Sequence, residues 1–307
     1  MTTLIATSVV RGSSQGESHG GVYLVDLEQQ RVAQVIDWNR TDIDWQGRGW
    51  DRGLRGIAFD GDKVFIAASD ELFVYDRIFN RMSSYRSAHL KHCHEIYRYK
   101  RRLYLTSTAF DAVLGFDLDA MRFSWGIRIS RVDDDFRANP FLPDAVDGPE
   151  PRNELHLNNV HCTPLGLFVS GARTGGLLRY TGKRIVKIAA LPPGCHNAQP
   201  YRDGILFNDT ASDIVRFVSP DKQRAFHVPR YDSDLLTHTN LDDSRTARQA
   251  FARGLCDIGN GVIAAGSSPS TITLHDFESM QTTLSINLTM DVRNAIHGLE
   301  VWPFDVA

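Results

Sequence analysis

Short apolar runs alternate with polar turns along the whole chain, and one such pattern returns six times. The clearest pair is residues 55–70 (RGIAFDGDKVFIAASD) and 253–268 (RGLCDIGNGVIAAGSS), which align without a gap. Four further segments follow the same frame and begin at His94, Asn158, His196 and His297. Short strands of period two with regularly spaced turns are typical of an all-β array rather than of βαβ units.

Two apolar positions keep their place in this frame. The residue two places after each repeat start is apolar: Ile57, Ile96, Val160, Ala198, Leu255 and Leu299. Where the chain continues, an apolar strand begins nine places after the start, at Val64, Leu103, Leu167, Ile205 and Val262. The starts lie about 40 to 65 residues apart, and a four-stranded propeller blade needs roughly 40 to 50 residues. The pattern therefore predicts one blade for each repeat.

The sixth repeat contains only one strand, His297–Phe304, before the sequence stops. Three further strands are predicted at the N-terminus, over Leu4–Ser8, Val22–Leu27 and Val32–Trp38. We therefore expect an all-β, six-bladed β-propeller of four-stranded blades, a single domain over residues 1–307, closed by a blade that both ends share. The blade pattern resembles that of six-bladed propellers such as the gluconolactonases and the strictosidine-synthase-like enzymes, over the whole chain. The acidic and asparagine metal-ligand motifs of the gluconolactonases are not seen in it.

Composition narrows the classes of partner. The 307 residues include 34 Lys and Arg against 37 Asp and Glu, a formal net charge of −3. No basic face is expected, which argues against binding to nucleic acid or to an anionic membrane surface. The first ten residues lack the basic and long apolar regions of a signal peptide, so a cytoplasmic protein with four reduced cysteines is predicted.

The six repeat starts are expected to form a ring at the mouth of the central channel, and histidine occupies every second place in it. Three imidazoles on alternate blades can converge on one divalent transition metal, whether iron, copper, zinc or manganese. This predicts a metal site at His94, His196 and His297. The remaining ring and neighbouring polar side chains are predicted to bind a small-molecule substrate; they are Arg55, Asn158, Asn197 and Arg253. The alternative is that all these side chains fill and hydrogen-bond a wet channel.

Three further residues are candidate catalytic groups. Glu95 and Glu300 lie beside ring histidines, where a carboxylate can orient an imidazole or act as an acid or base. His161 is three places after Asn158 and is a candidate general base, a fourth ligand or the true ring residue of its blade. The alternatives are inter-blade salt bridges for the glutamates and a buried, hydrogen-bonded histidine for His161.

Three long connections are predicted on the same rim as the ring. They span residues 38–54, 131–157 and 229–252, each between the last strand of one blade and the first strand of the next. Long loops on a rigid scaffold are common places for binding and catalysis, so we expect lids or recognition loops there. The alternative is that they have no function.

These observations support three hypotheses. The first is a metal-dependent enzyme that acts on a small polar or anionic substrate, as an oxygenase-type oxidoreductase or as a lyase or hydrolase. Its inner-strand histidines resemble those of the carotenoid-cleaving oxygenases, which hold iron with four histidines, and of polysaccharide lyases with histidine-held manganese; both have seven blades. The second is a non-enzymatic binding module for a small ligand or a protein partner. The third is a metal-free enzyme that uses the Arg/His ring and a thiol.

Overall fold

The computed structural model describes residues 2–14, 16–38, 53–145, 147–240 and 248–305. Within these residues the chain forms 25 β-strands and two short 3₁₀ helices, Thr108–Phe110 and Ser233–Leu235. Neither of these helical turns is long or apolar enough to cross a membrane.

The strands form six antiparallel sheets. One sheet draws on both ends of the chain, in the order β25 (Asn294–Val301), β1 (Thr3–Val10), β2 (Gly21–Asp26) and β3 (Arg31–Asp37). The next two contain β4 (Leu54–Asp60), β5 (Lys63–Ala68), β6 (Glu71–Tyr75) and β7 (Arg81–Arg86), then β8 (Ile96–Tyr99), β9 (Arg102–Ser107), β10 (Ala112–Asp117), β11 (Arg122–Val132) and β12 (Asp135–Phe141).

The last three sheets have four strands each and follow chain order. They contain β13 (Leu157–Thr163), β14 (Gly166–Gly171), β15 (Gly176–Tyr180) and β16 (Ile185–Ala190); β17 (His196–Tyr201), β18 (Gly204–Asp209), β19 (Ile214–Val218) and β20 (Gln223–His227); and β21 (Leu255–Gly259), β22 (Val262–Ser267), β23 (Thr271–Asp276) and β24 (Gln281–Asn287). This is the arrangement of a six-bladed β-propeller. The predicted fold, the blade number and the blade shared by both ends are confirmed.

Burial explains why the repeat keeps its apolar positions. The residue two places after each repeat start is at most 7% exposed, as seen for Ile57, Ile96, Val160, Ala198, Leu255 and Leu299. Ile96, Val160 and Leu299 join apolar clusters formed by neighbouring blades. One such cluster combines Phe65 and Leu72 with Leu105 and Phe116. Within each unit, neighbouring blades thus cover apolar faces of one another, which gives the hydrophobic driving force for the stacking.

The chain divides into two compact units, residues 1–55 with 208–307, and residues 56–207. Inside each unit, polar side chains near the end of a blade's second strand bond to the start of the next blade. Thr7 Oγ1 donates to the Arg55 carbonyl, Thr108 Oγ1 to that of Leu157, and Asn208 Nδ2 to that of Gly254 at 3.3 Å. The six sheets of the described residues share no strand pairing, so these side chains satisfy carbonyls that the strand ladders leave without a partner.

The blade of β8–β12 differs from the prediction because it has a fifth strand. The segment 131–157 was expected to be a connection, but β12 within it pairs with β11 from Gly126–Phe141 to Val132–Asp135. Asp133 adopts a positive φ of 54° in the tight turn between the two strands. Pro140 lies in β12, the outer strand of the sheet, where its missing N–H costs no ladder bond. Of the other predicted connections, residues 39–52 and 241–247 lie outside the described residues.

Candidate functional site

The predicted site residues divide between the two units. His94, Glu95, Asn158, His161, His196 and Asn197 belong to the unit of residues 56–207, here the second unit. Arg55, Arg253, His297 and Glu300 belong to the first unit, which comprises residues 1–55 and 208–307. Each group is therefore described within its own unit.

His94 lies just before β8 and is 4% exposed. Its Nδ1 is 2.8 Å from the His92 carbonyl oxygen and 2.8 Å from Thr108 Oγ1. The Thr108 hydroxyl itself donates to the Leu157 carbonyl, so the imidazole Nδ1–H is the donor toward the carbonyl of His92. This arrangement fixes the ring in the Nδ1–H tautomer, with the lone pair on Nε2. Metal-binding histidines commonly use this tautomer.

A second imidazole, which the sequence pattern did not predict, lies against His94. The His156 ring packs edge-on at 5.3 Å between centroids. It is positioned by the buried carboxylate of Asp111, which accepts the backbone N–H groups of Glu154, Leu155 and His156. Burial raises the Asp111 pKa, and these N–H bonds oppose the rise. One feature of the sequence could have pointed to His156: it lies near the end of the 131–157 insertion, two residues before Asn158.

Asn158 and His161 play different parts in β13. Asn158 is 2% exposed and lies at the start of the strand, where its Nδ2 donates to the Cys195 carbonyl at 2.8 Å. His161 lies farther along the strand, with its ring 4.1 Å from that of Tyr97. Burial lowers the His161 pKa to about 4, so the imidazole is neutral at pH 7. Its role as a general base remains a prediction.

The two residues that follow the ring histidines of this unit contact one another. Asn197 Nδ2 donates to Glu95 Oε2 at 3.0 Å, and Glu95 Oε1 accepts the Ile96 N–H at 3.1 Å. A side chain at Gly56 would meet Glu95 Oε1 at 2.8 Å. The glycine therefore leaves room for this carboxylate, and Glu95 and Asn197 form one hydrogen-bonded pair.

In the first unit a guanidinium and an imidazole that were predicted to act separately are bonded to each other. Arg253 Nη1 lies 2.9 Å from His297 Nε2. Because arginine is always a donor, His297 Nε2 is the acceptor and the ring proton is on Nδ1. Both side chains are buried, at 6% and 5% exposure. The backbone of Arg55 is close by, since a side chain at Gly298 would meet its carbonyl oxygen at 2.3 Å.

The guanidinium group of Arg253 and those of two other arginines lie against the ring of Phe251. The Cζ atoms of Arg11, Arg253 and Arg248 lie 4.3, 4.7 and 5.2 Å from the centre of its ring. Cation–π contacts of this kind stabilise a partly desolvated guanidinium. Arg11 was not among the predicted site residues, although it directly follows β1, whose end pairs with the start of β25.

The neighbouring carboxylates of the first unit are engaged by other arginines. Asp213 bonds to Arg248 at 2.6 Å and also to Arg230. Asp209 bonds to Arg216 at 3.0 Å, and Asp291 bonds to Arg293 at 2.9 Å. The charge of Arg248 is thus matched within the unit. The guanidinium groups of Arg11 and Arg253 are the buried cations of the cluster.

Glu300 lies on β25 beside a buried thiol. Burial of its carboxyl group raises the Glu300 pKa to about 8, so the group is mostly protonated at pH 7. The Cys256 pKa is also raised well above its ordinary value, first by burial and then by the Glu300 charge. All four cysteines are free and buried: Cys93, Cys162, Cys195 and Cys256.

The part of the chain that the structure describes contains no cluster of three or more His, Cys, Asp or Glu side chains placed to hold a metal ion. The metal site at His94, His196 and His297 draws on both units and stays a prediction. Within the first unit, His297 Nε2, one of the two ring nitrogens through which a histidine can bind a metal, is bonded to the guanidinium of Arg253.

Comparison with known proteins identifies the fold alone. No family model matches the sequence, and no curated protein matches it. Among solved structures, a protein of unknown function from Bacteroides caccae is similar, with a TM-score of 0.61 at 8% identity over 99% of both chains. A chain of a nidogen/laminin complex is similar with a TM-score of 0.57 at 10% identity over 98% of both chains. Propellers serve many functions, so these likenesses leave function to the site itself.

Proposed function

We propose that this propeller binds a small anionic molecule, a carboxylate or a phosphate, at Arg253 and Arg11 of the first unit, beside His297. The observation that carries the proposal is the cluster in which two buried guanidinium groups lie on Phe251 and one of them bonds to a neutral imidazole. Arg55, whose backbone adjoins Gly298, is the further predicted contact to the anion.

Electrostatics favours an anion here. The guanidinium carbons of Arg11 and Arg253 both lie within 5 Å of the centre of one ring, so they are no more than about 9 Å apart. Two positive groups this close favour the approach of an anion. The planar fork of arginine can give two parallel N–H bonds to a carboxylate or phosphate.

The same cluster suits proton transfer to or from the bound molecule. His297 is a neutral imidazole with its proton on Nδ1, held in place by Arg253. When the guanidinium turns to a bound anion, Nε2 is released and its lone pair can accept a proton from that molecule. An enzyme acting on an anionic substrate is therefore the proposed class, with His297 as its proton-transfer group.

Two other hypotheses have narrower support. For the metal-dependent enzyme, the supporting observation is the contact of His94 Nδ1 with the His92 carbonyl. Metal-binding histidines commonly donate their second ring N–H to a carbonyl in this way. For a protein-binding module, the support is a similarity of fold to a chain from a nidogen/laminin complex.

The test is a calorimetric titration with inorganic phosphate, and separately with oxalate, on protein stripped of metal by chelating resin. We expect saturable binding that Arg253→Gln weakens by at least about tenfold, since one charged hydrogen bond contributes about 1.5–3 kcal/mol. Arg253→Lys keeps the charge but not the fork, so an intermediate loss is expected. The matched control is Arg31→Gln, an exposed arginine of the same unit.

Binding that is the same in wild type and Arg253→Gln would contradict the proposal. Binding that appears only after iron, copper, zinc or manganese is added would also overturn it, and would favour the three-histidine metal centre.

A further inference from the structure

The fifth strand of the β8–β12 blade has a free edge that borders a groove in the second unit. Within the described residues, β12 pairs with β11 along one side only. The groove has a volume of about 540 Å³ and follows β12 from its turn to Asn139. Its other wall is formed by residues 183–186, the turn before β16 and the first residues of that strand. A free strand edge is a ready template for pairing with another strand.

Backbone groups on this edge point away from β11. A two-residue turn joins the paired residues Val132 and Asp135, which exchange their bonds with each other, so the next backbone groups to point outward are those of Phe136 and Ala138. Pro140 occupies the same outward position farther along, where no N–H is needed. Phe136 and Ala138 make no backbone hydrogen bond outside the ladder in the part of the chain that the structure describes. Their N–H and carbonyl groups are therefore available to a further strand.

The charged side chains around this edge are exposed and divide into an acidic and a basic group. The acidic group is residues 133–135, three aspartates at the turn before β12 and at its start. The basic group consists of Arg137, Lys183 and Arg184, which line the groove. Across the described residues, no ion pair engages any of these six side chains. Equal numbers of opposite charges on one patch make that patch complementary to a second copy of itself.

One register of two antiparallel β12 strands matches these charges. When Phe136 of one copy lies opposite Phe136 of the other, each Asp135 lies opposite an Arg137, and opposite charges at such positions stabilise a strand pair. A shift to either neighbouring register that keeps the outward backbone groups facing each other places Asp135 opposite Asp135, or Arg137 opposite Arg137. Like charges at these positions are destabilising. The charges therefore select a single twofold-symmetric pairing.

Exposed apolar side chains border the same edge. Val186, in the groove wall, is 41% exposed, and Leu142, which directly follows β12, is 66% exposed. Large apolar side chains beside an unpaired strand edge favour a partner that removes them from water.

We infer that a second copy of this chain docks on the β12 edge and forms a symmetric dimer. The two β12 strands pair antiparallel about a twofold axis at Phe136, and the backbone groups of the two Phe136 residues bond to each other. The acidic turn of each copy lies against the basic group of the other. This interface contains no residue of the anion site proposed at Arg253, and neither depends on the other.

The test is sedimentation velocity of the wild type and of two charge-reversal variants. We expect the wild type to dimerise as its concentration rises. Asp135→Arg and Arg137→Asp should each weaken dimerisation at least about tenfold, because each variant places like charges opposite one another. An equimolar mixture of the two variants should dimerise again, since each reversed charge then meets an opposite charge on the other variant. Arg122→Asp, at an exposed arginine on β11 of the same blade, is the matched control and should dimerise like the wild type.

A backbone variant tests the strand pairing itself. Ala138→Pro removes an outward N–H without removing a bond to β11, as Pro140 does in the natural sequence, and it should weaken the dimer. Urea unfolding shows whether this variant is folded, and the charge variants decide the matter if it is not.

A wild type that stays monomeric at every concentration would overturn the inference. A dimer that is equally strong in both charge-reversal variants would also overturn it, and so would a mixture of the two variants that remains monomeric. Arg253→Gln should dimerise like the wild type, which separates a failure here from a failure of the anion site.

Discussion

Replacing Asp111 with alanine is expected to lower the free energy of unfolding by about 3–5 kcal/mol. The carboxylate is 2% exposed and accepts three consecutive backbone N–H groups, those of Glu154, Leu155 and His156. Each buried donor left without an acceptor costs about 1–3 kcal/mol. The segment that returns from β12 should loosen, and His156 should lose its position against His94.

Urea unfolding measures the change in stability, and amide hydrogen exchange at residues 153–157 locates it. Asp117→Ala is the matched control. Asp117 is the last residue of β10, the strand that directly follows Asp111, and it accepts the N–H groups of Asp119 and Ala120 in an exposed turn. Water can replace an exposed acceptor, so the control should cost less than about 1 kcal/mol. Equal losses in the two variants, with exchange at 153–157 unchanged, would show that Asp111 does not anchor this segment.

Glu300→Gln is expected to stabilise the protein at alkaline pH and to have little effect at pH 5. Burial of the carboxyl group raises the Glu300 pKa to about 8 from its ordinary 4.5. Between these values the unfolded chain has lost the proton while the native state keeps it. Native stability therefore falls as the pH rises from 4.5 to 8, by up to about 1.4 kcal/mol per pH unit. Glutamine does not titrate, so the advantage of the variant should grow to about 4 kcal/mol at pH 8.

The measurement is the free energy of unfolding of wild type and variant at pH 5, 6, 7 and 8. Glu150→Gln, at an exposed position, is the control and should show no such trend. A Glu300→Gln difference that is the same at every pH would mean that the carboxyl group is ionised throughout. The predicted role of Glu300 as a general acid would then lose its physical basis, since only a protonated carboxyl group can donate a proton near neutral pH.

The blade architecture could be predicted because burial imposes it on every repeat. Positions such as Ile57 and Leu255 recur because each blade must cover its neighbour, and this requirement appears in the sequence as a fixed spacing. The fifth strand of the β8–β12 blade could not be predicted in this way. β12 depends on a single hairpin at Asp133 and repeats nowhere else in the sheets of the described residues.

The site could be predicted only in part, because the repeat frame places backbones and not side-chain contacts. The frame brings Arg253 and His297 to the starts of inner strands, but it does not show that one donates to the other. Arg11 and Phe251 fall outside the six starting positions and meet through tertiary packing.

The imidazole nitrogens of His297 report most directly on the anion site proposed at Arg253 and His297. We would record ¹⁵N NMR spectra of metal-free protein during addition of inorganic phosphate, with His297→Gln to assign the resonances. The predicted result is a neutral ring protonated on Nδ1 whose resonances shift saturably with phosphate, and a loss of that shift in Arg253→Gln. His297 resonances that do not move at high phosphate, or that move equally in Arg253→Gln, would contradict the account.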